Sequence, residues 1–308
     1  MDNYSELRRK ILMSLGAAGL MSFSSTKVLA GSGLSSVKLG VTNLSFHRVT
    51  AAVVAQVMSV MGKQVIRSYD LHEANFNRLK DGNVDFVSSA WLPHSHGLYQ
   101  TSVEETIPTR ELGLHYQPYA LWGVPDYVPV SDVEEIGDLL KPDVIAKMRP
   151  FIQGIGEGAG ITRFSKKIML DYELSASGYQ FRTGTQADCV AAFEAAVAVK
   201  DWVIVPLWHP QFLHHQYKIR ELGDPKYLLG GKDRAVLLAR EDSLNAHFTS
   251  QQIAVLDNIH LSNEIVAELD YGVNRLGLTE DEAAAKWLTD NPTHLAQWLE
   301  PLMQIDKA

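Results

Sequence analysis

Tryptophan, proline and histidine cluster at the ends of several predicted strands of this 308-residue chain. Trp91 and Trp208 are the clearest cases, since proline follows each of them two residues later. A trimethylammonium group offers no hydrogen-bond donor, but the negative faces of aromatic rings attract it by about 2 kcal/mol or more once water is removed. Closing two lobes around such a cation strengthens the attraction. We therefore predict that Trp91 and Trp208 form a cation cage, the alternative for each being an ordinary place in the core.

A third aromatic wall and an anion-binding partner complete this prediction. Phe46, Tyr119 and Trp122 are the candidates for the third wall. The glycine-rich turn at residues 156–160 precedes a predicted helix, so amides at Gly158 and Gly160 could hold a carboxylate. No Gly-Lys-Ser/Thr follows, which argues against a phosphate loop. Other candidates for the anion are the turn at residues 183–185 and the side chains of His47, Arg48, His94, His96 and His209.

Metal and catalytic chemistry are weaker interpretations of the same residues. Histidines occur at 94, 96, 209, 214 and 215, but no carboxylate or third histidine stands at a recognised zinc spacing. No Gly-x-Ser-x-Gly nucleophile motif is present. We therefore predict no metal, no cofactor and no catalytic residue.

The elements that must position these side chains alternate between strand and helix, which predicts a parallel α/β sheet. A second α/β unit follows a proline- and aromatic-rich crossover at residues 116–130, and a helical tail begins at residue 242. A cleft between two such units is a favoured ligand site. The predicted strands span residues 37–41, 64–68, 84–88, 151–155, 179–182 and 202–207. The predicted helices span residues 50–61, 72–80, 161–172 and 186–199.

The first 30 residues have the pattern of a signal peptide. Arg8, Arg9 and Lys10 precede an apolar stretch too short to span a bilayer, and a small-residue site ends at Ala30. We predict cleavage after Ala30, by either the general or the twin-arginine export route, and a periplasmic protein. The mature N-terminus has no cysteine, so we expect no lipid anchor.

The single cysteine, Cys189, excludes an internal disulfide and is expected to be a buried structural thiol. The formal charge of −8 argues against nucleic acid as a partner.

Four segments, taken together and in order, carry a resemblance to a known family: residues 89–97, 152–160, 205–210 and 217–225. They resemble the glycine betaine/proline betaine/choline substrate-binding proteins of ABC transporters. The resemblance implies a type II two-lobed periplasmic binding-protein fold that closes on its ligand. It also implies an aromatic box for the quaternary nitrogen, with amides and a polar side chain for the carboxylate. Trp91 and Trp208 match box positions. Phe46 stands where relatives often have tryptophan, and residues 209–212 lack the His-Trp pair common there.

These observations predict a monomeric receptor for a quaternary-ammonium solute such as glycine betaine, which delivers it to the membrane permease of an ABC importer. We place one lobe at residues 37–120 and 217–308 and the other at residues 121–216. The alternative keeps the fold but binds an amino acid or another zwitterion without a quaternary centre. A metal-dependent enzyme is less favoured.

Overall fold

The computed structural model describes residues 36–303, whose strands form three sheets. In chain order the strands are β1 (Ser36–Thr42), β2 (Gln64–Asp70), β3 (Phe86–Leu92), β4 (Thr109–Leu112), β5 (Tyr119–Pro125), β6 (Phe151–Gln153), β7 (Gln180–Arg182), β8 (Val205–His209), β9 (Ile219–Glu221) and β10 (Arg234–Arg240). The predicted signal peptide at residues 1–30 lies outside the described residues.

The helices cover the faces of these sheets. They are α1 (Ser45–Val60), α2 (His72–Lys80), α3 (Gly97–Glu104), α4 (Pro142–Ile145), α5 (Gly160–Asp171), α6 (Gln186–Ala198), α7 (Leu213–Gln216), α8 (Glu241–His247), α9 (Ser250–Asp257), α10 (Asn263–Leu276), α11 (Glu280–Asp290) and α12 (Pro292–Trp298). Within residues 36–303, none of these helices combines the length and apolar character needed to cross a bilayer.

The first lobe is built on a five-stranded sheet with the order β2-β1-β3-β10-β4. β1 runs parallel to β2 and β3, as the alternating pattern predicts, but β10 is antiparallel to both of its neighbours. The prediction of a parallel sheet is therefore correct for three strands and wrong for the sheet as a whole. The reason is that a buried apolar strand from late in the chain, residues 234–240, inserts between β3 and β4.

The second lobe contains the antiparallel sheet β8-β5-β9 and the parallel pair β6-β7. The segment predicted as a crossover, residues 116–130, thus supplies a central strand, β5. β9, which follows the predicted lobe boundary at residues 216/217, pairs with β5. The lobe boundaries stay predictions.

Three elements extend further than their patterns predict, and this places the candidate site residues differently. α1 begins at Ser45 rather than at residue 50, so Phe46 and His47 lie in its first turn. β3 ends at Leu92 and β8 at His209, so Trp91 and Trp208 lie within strands rather than after them. All seven residues of β3 are buried, because helices and the second lobe cover it. A strand buried on both faces lacks the alternation of apolar and polar residues that would mark its end in the sequence.

Several local predictions are confirmed. The helix at residues 72–80 has the predicted bounds, and the helical tail includes α11, which begins with a capping box between Thr279 and Glu282. Cys189 is buried, and burial raises the pKa of its thiol to about 12, as expected for a structural thiol.

Candidate functional site

A cavity lies where the two lobes meet and holds about 310 Å³ of empty space, including its mouth. Its walls come from the first turn of α1, the start of α2, the end of β3 and the loop after it, the paired strands β5 and β8, and the start of α5. The lining residues are Leu44, Phe46, His47, His72, Trp91, Ser95, His96, Ala120, Ile155, Ala159, Gly160, Ile161 and Trp208.

Phe46 joins the two tryptophans of the predicted cage. Its ring centroid lies 5.2 Å from that of Trp91 and 5.4 Å from that of Trp208. All three rings are buried and line the cavity. Trp91 belongs to the first lobe and Trp208 to the second, so closure of the lobes determines the distance between two of the walls. Three aromatic rings in the lining of one cavity suit a desolvated organic cation.

Strand register explains why two other aromatic candidates do not reach the cavity. Ala120 pairs with Trp208 and both line the cavity, whereas Tyr119 pairs with His209. Since alternate residues point to opposite faces of a sheet, Tyr119 and His209 lie on the other face, with ring centroids 5.0 Å apart. The phenol of Tyr119 donates to Glu221 at 2.9 Å. Tyr119 and His209 therefore lie outside the cavity lining, and their ligand contacts stay a prediction.

Trp122 is also outside the cavity lining, although it lies on the same strand face as Ala120. Its indole N–H donates to Ser165 of α5 at 2.8 Å, and its side chain is fully buried beneath that helix. Trp122 is thus a core residue, and Phe46 is the candidate third wall that lies between the two tryptophans.

The glycine-rich turn is divided between two roles. Gly160 lines the cavity and packs so closely against the loop after β3 that an added Cβ would lie 3.0 Å from Ser95. Gly158 is not in the lining; its carbonyl accepts hydrogen bonds from Tyr99 at 3.0 Å and from Arg163 at 3.1 Å. The turn at residues 183–185 caps α6 through Thr185.

Three histidines form the polar wall of the cavity: His47, His72 and His96. The ring centroid of His72 lies 5.7 Å from that of His47 and 4.8 Å from that of His96. Burial lowers the pKa of His47 and His96 well below the usual value and lowers the pKa of His72 to about 4, and the guanidinium of Arg163 adds to the effect at His72 and His96. All three imidazoles are therefore neutral at pH 7. His72 was not among the sequence candidates, since it begins an unremarkable polar helix far along the chain from the others.

The remaining histidine candidates lie elsewhere. The backbone N–H of His94 donates to Asp233 at 2.6 Å, and the ring of His214 stacks on that of His209 at 3.6 Å. Across residues 36–303, no group of three or more histidine, cysteine, aspartate or glutamate side chains is arranged to hold a metal ion.

Direct contacts between the lobes close both sides of the cavity. On one side the amide of Gln186 in α6 donates to the hydroxyl of Ser45 at 3.0 Å. On the other, Arg163 of α5 donates to the carbonyl of Ser95, and Tyr99 of α3 donates to the carbonyl of Gly158. These contacts describe a closed arrangement of the two lobes.

A two-lobed α/β fold with a cavity enclosed between its lobes is the architecture of the periplasmic substrate-binding proteins. Residues 35–290 match the family described as the substrate-binding domain of ABC-type glycine betaine transport systems, OpuAC. The match covers most of the chain, and the chain belongs to this family. The members of this family are substrate-binding domains of ABC transport systems, not enzymes.

Individual relatives agree with this assignment. The chain is 28% identical over 166 residues to the glycine betaine/carnitine transport binding protein GbuC of Listeria monocytogenes, and this match spans 54% of each chain. The chain thus aligns with about half the length of that curated relative. Lactococcal OpuAC in its closed form with glycine betaine has the same fold, with a TM-score of 0.75, 21% identity, and coverage of 86% of this chain and 99% of that one. The ProX protein of Borrelia burgdorferi gives a TM-score of 0.75, 23% identity, and coverage of 86% and 96%.

Proposed function

We propose that this protein captures a small quaternary-ammonium solute of the betaine type in the cavity between its lobes. The observation that carries the proposal is the placement of Phe46 against both Trp91 and Trp208, with all three rings lining the cavity. The names of two relatives point to the same ligand class, since one is a glycine betaine/carnitine binding protein and the other was solved with glycine betaine.

The cavity is suited to such a ligand at both ends. The aromatic faces attract the methylated nitrogen, while neutral histidines and the start of α5 offer hydrogen-bond donors to an anionic group. Since both lobes contribute walls, the ligand stabilises the closed arrangement, and closure is the form that a permease would recognise.

The test is calorimetric titration of the protein with glycine betaine, proline betaine, carnitine and choline, with tryptophan fluorescence followed in parallel. We expect binding of at least one quaternary amine, and a loss of about 2 kcal/mol, or roughly thirtyfold in affinity, in Trp91→Ala. Trp298→Phe is the matched control, because that indole is buried in the C-terminal helices. Absence of binding to every quaternary amine, with heat released by an amino acid instead, would favour the alternative of a zwitterion without a quaternary centre.

We further propose that the chain is exported, cleaved after Ala30, and works as a monomer in the periplasm beside an ABC permease. The basic and apolar pattern of residues 8–30 supports export. Mass spectrometry of the protein from a periplasmic fraction is expected to give an N-terminus at Gly31, and light scattering is expected to give the mass of one chain. A full-length chain retained in the cytoplasm would contradict the export proposal.

A further inference from the structure

We propose that Asp270 is a proton-dependent latch between the lobes, through which closure on the ligand takes up a proton from solvent. The inference rests on the proposed function, because it requires a ligand that closes the lobes. It concerns a junction outside the cavity lining, and Asp270 acts there as a positioning residue that does not touch the ligand. Its consequence is that the affinity for the solute falls as the pH rises through neutrality.

Asp270 joins the lobes through the backbone of Phe212. It lies in α10, which packs against α1 of the first lobe, and its side chain is fully buried. The backbone N–H of Phe212, in the loop that follows β8 of the second lobe, donates to Oδ2 of Asp270 at 3.0 Å. On the first-lobe side, Asn274 donates to Oδ1 at 2.8 Å, and the hydroxyl of Ser45 also hydrogen-bonds to the carboxyl. One carboxyl thus ties the loop after β8 to the start of α1.

The hydroxyl of Ser45 extends this link to a second contact between the lobes. It accepts hydrogen bonds from Nε2 of Gln186 at 3.0 Å and from Nδ2 of Asn274 at 3.0 Å. Its own hydrogen is therefore free to be donated to Asp270. Asp270 is linked to the second lobe directly, through the backbone of Phe212, and indirectly, through Ser45 and Gln186.

The two arginines on the surrounding elements are already paired. The charged and titratable side chains on the elements that meet at this junction are Arg48 on α1, Glu194 on α6, His214 and His215 on α7, Arg275 on α10 and Glu280 on α11. Arg48 pairs with Glu280 at 2.7 Å, and Arg275 pairs with Glu194 at 2.5 Å. Burial lowers the pKa of His214 to about 3, so its ring is neutral near pH 7. Neither arginine is left to compensate a negative charge on Asp270, so ionising this carboxyl inside the closed junction is costly.

Separation of the lobes brings water to the carboxyl and changes its affinity for a proton. In the closed arrangement, burial raises the pKa of Asp270 to about 7, although its three hydrogen bonds and the charge of Arg275 lower it. When the lobes separate, water replaces the N–H of Phe212, and a hydrated carboxyl ionises more readily. The pKa is therefore higher in the closed form than in the open form. Between these two values closure takes up a proton, so the affinity for the ligand falls as the pH rises.

The range above pH 6.5 separates Asp270 from the histidines of the cavity. Burial lowers the pKa of His47, His72 and His96 in the closed form, so below pH 6.5 these side chains take up protons more readily when the lobes are open. Protonation of the histidines therefore opposes closure in acid. Above pH 6.5 the three rings are neutral, and a quaternary amine keeps its charge at every pH. A change in affinity between pH 6.5 and 8 thus reports on Asp270.

The first experiment is calorimetric titration with glycine betaine at several pH values from 6.5 to 8. In wild type we expect the affinity to fall roughly fourfold over this range, because the closed form loses a proton with a pKa of about 7. Asp270→Asn, which stays neutral, is expected to bind with an affinity that does not change with pH. Asp143→Asn, at an exposed carboxyl of α4, is the control and should follow wild type. Should Asp270→Asn fail to fold, Asn274→Leu supplies the test: it removes a donor to the charged carboxyl, so the fall in affinity should move to higher pH.

The second experiment counts the proton directly. Binding heats at pH 7 in buffers of different ionisation enthalpy give the number of protons taken up per ligand bound. We expect uptake of about half a proton in wild type, since the closed form is half-protonated at its pKa of about 7, and none in Asp270→Asn. An affinity that is constant from pH 6.5 to 8 in wild type, or the same fall and the same proton uptake in Asp270→Asn, would overturn the inference. Failure of wild type to bind any quaternary amine at any pH would overturn the proposed function instead.

Discussion

Ser45 and Gln186 are joined by two hydrogen bonds across the cleft. The backbone N–H of Ser45 donates to Oε1 of Gln186 at 3.3 Å, and Nε2 of Gln186 donates to the hydroxyl of Ser45 at 3.0 Å. The two residues begin helices of different lobes, α1 and α6. Ser45 directly precedes Phe46, so this contact joins the lobes beside the aromatic wall.

Gln186→Ala is expected to weaken ligand binding by about 5- to 30-fold, because it removes two hydrogen bonds worth roughly 1 kcal/mol each from the closed arrangement. Dissociation is expected to accelerate more than association slows, since the bonds exist only after closure. Stopped-flow fluorescence measures both rates. Gln180→Ala, at an exposed glutamine of the same lobe, is the control. Equal rates in Gln186→Ala and wild type would contradict a closing role.

Phe46→Leu is expected to reduce the affinity for glycine betaine by roughly tenfold, because leucine keeps most of the apolar volume but lacks the negative ring face that attracts the cation. Calorimetry measures the affinity, and thermal unfolding reports the cost to the fold. Phe193→Leu, in the core of the second lobe, is the control for loss of a buried ring. If both variants lose the same affinity, the effect comes from packing and not from a cation–ring contact.

His72→Asn is expected to make the protein less sensitive to acid. Burial lowers the pKa of His72 from 6.5 to about 4, so below pH 6.5 the unfolded chain takes up a proton that the folded chain does not. The free energy of unfolding therefore falls as pH drops from 6.5 to 4, by up to about 1.4 kcal/mol per pH unit for this group. Urea unfolding at several pH values measures this effect. The free energy of unfolding should change less steeply with pH in His72→Asn than in wild type. His260→Asn, at an exposed histidine, is the control.

Asp270 produces a dependence of opposite sign. Burial raises the pKa of its carboxyl from 3.8 to about 7, although it accepts hydrogen bonds from the N–H of Phe212 at 3.0 Å and from Asn274 at 2.8 Å. Between pH 4 and 7 the folded chain holds a proton that the unfolded chain has lost, so this group contributes less stability as pH rises.

We therefore expect the melting temperature of Asp270→Asn to rise relative to wild type as pH increases from 4 to 8. Differential scanning calorimetry across this range measures the difference. Asp143→Asn, at an exposed carboxyl of α4, is the control. A constant difference between Asp270→Asn and wild type at every pH would show that the carboxyl does not bind a proton in this range.

The local patterns indicated two of the aromatic residues that line the cavity. Trp91 and Trp208 both lie in its wall, although within strands rather than after them. The sequence also offered Tyr119, Trp122 and His209 as candidates, and the register of β5 against β8 and the position of α5 place all three outside the cavity lining.

The sequence by itself determined the class of protein through its resemblance to a known family. It also determined the alternation of strands and helices and the buried thiol of Cys189, because these depend on residue type and local periodicity. Tertiary structure alone decided that Phe46 lies between Trp91 and Trp208, that β10 inserts antiparallel, and that His72 joins His47 and His96. Each of these depends on contacts between residues far apart in the chain, and packing rather than spacing determines which side chains share a cavity.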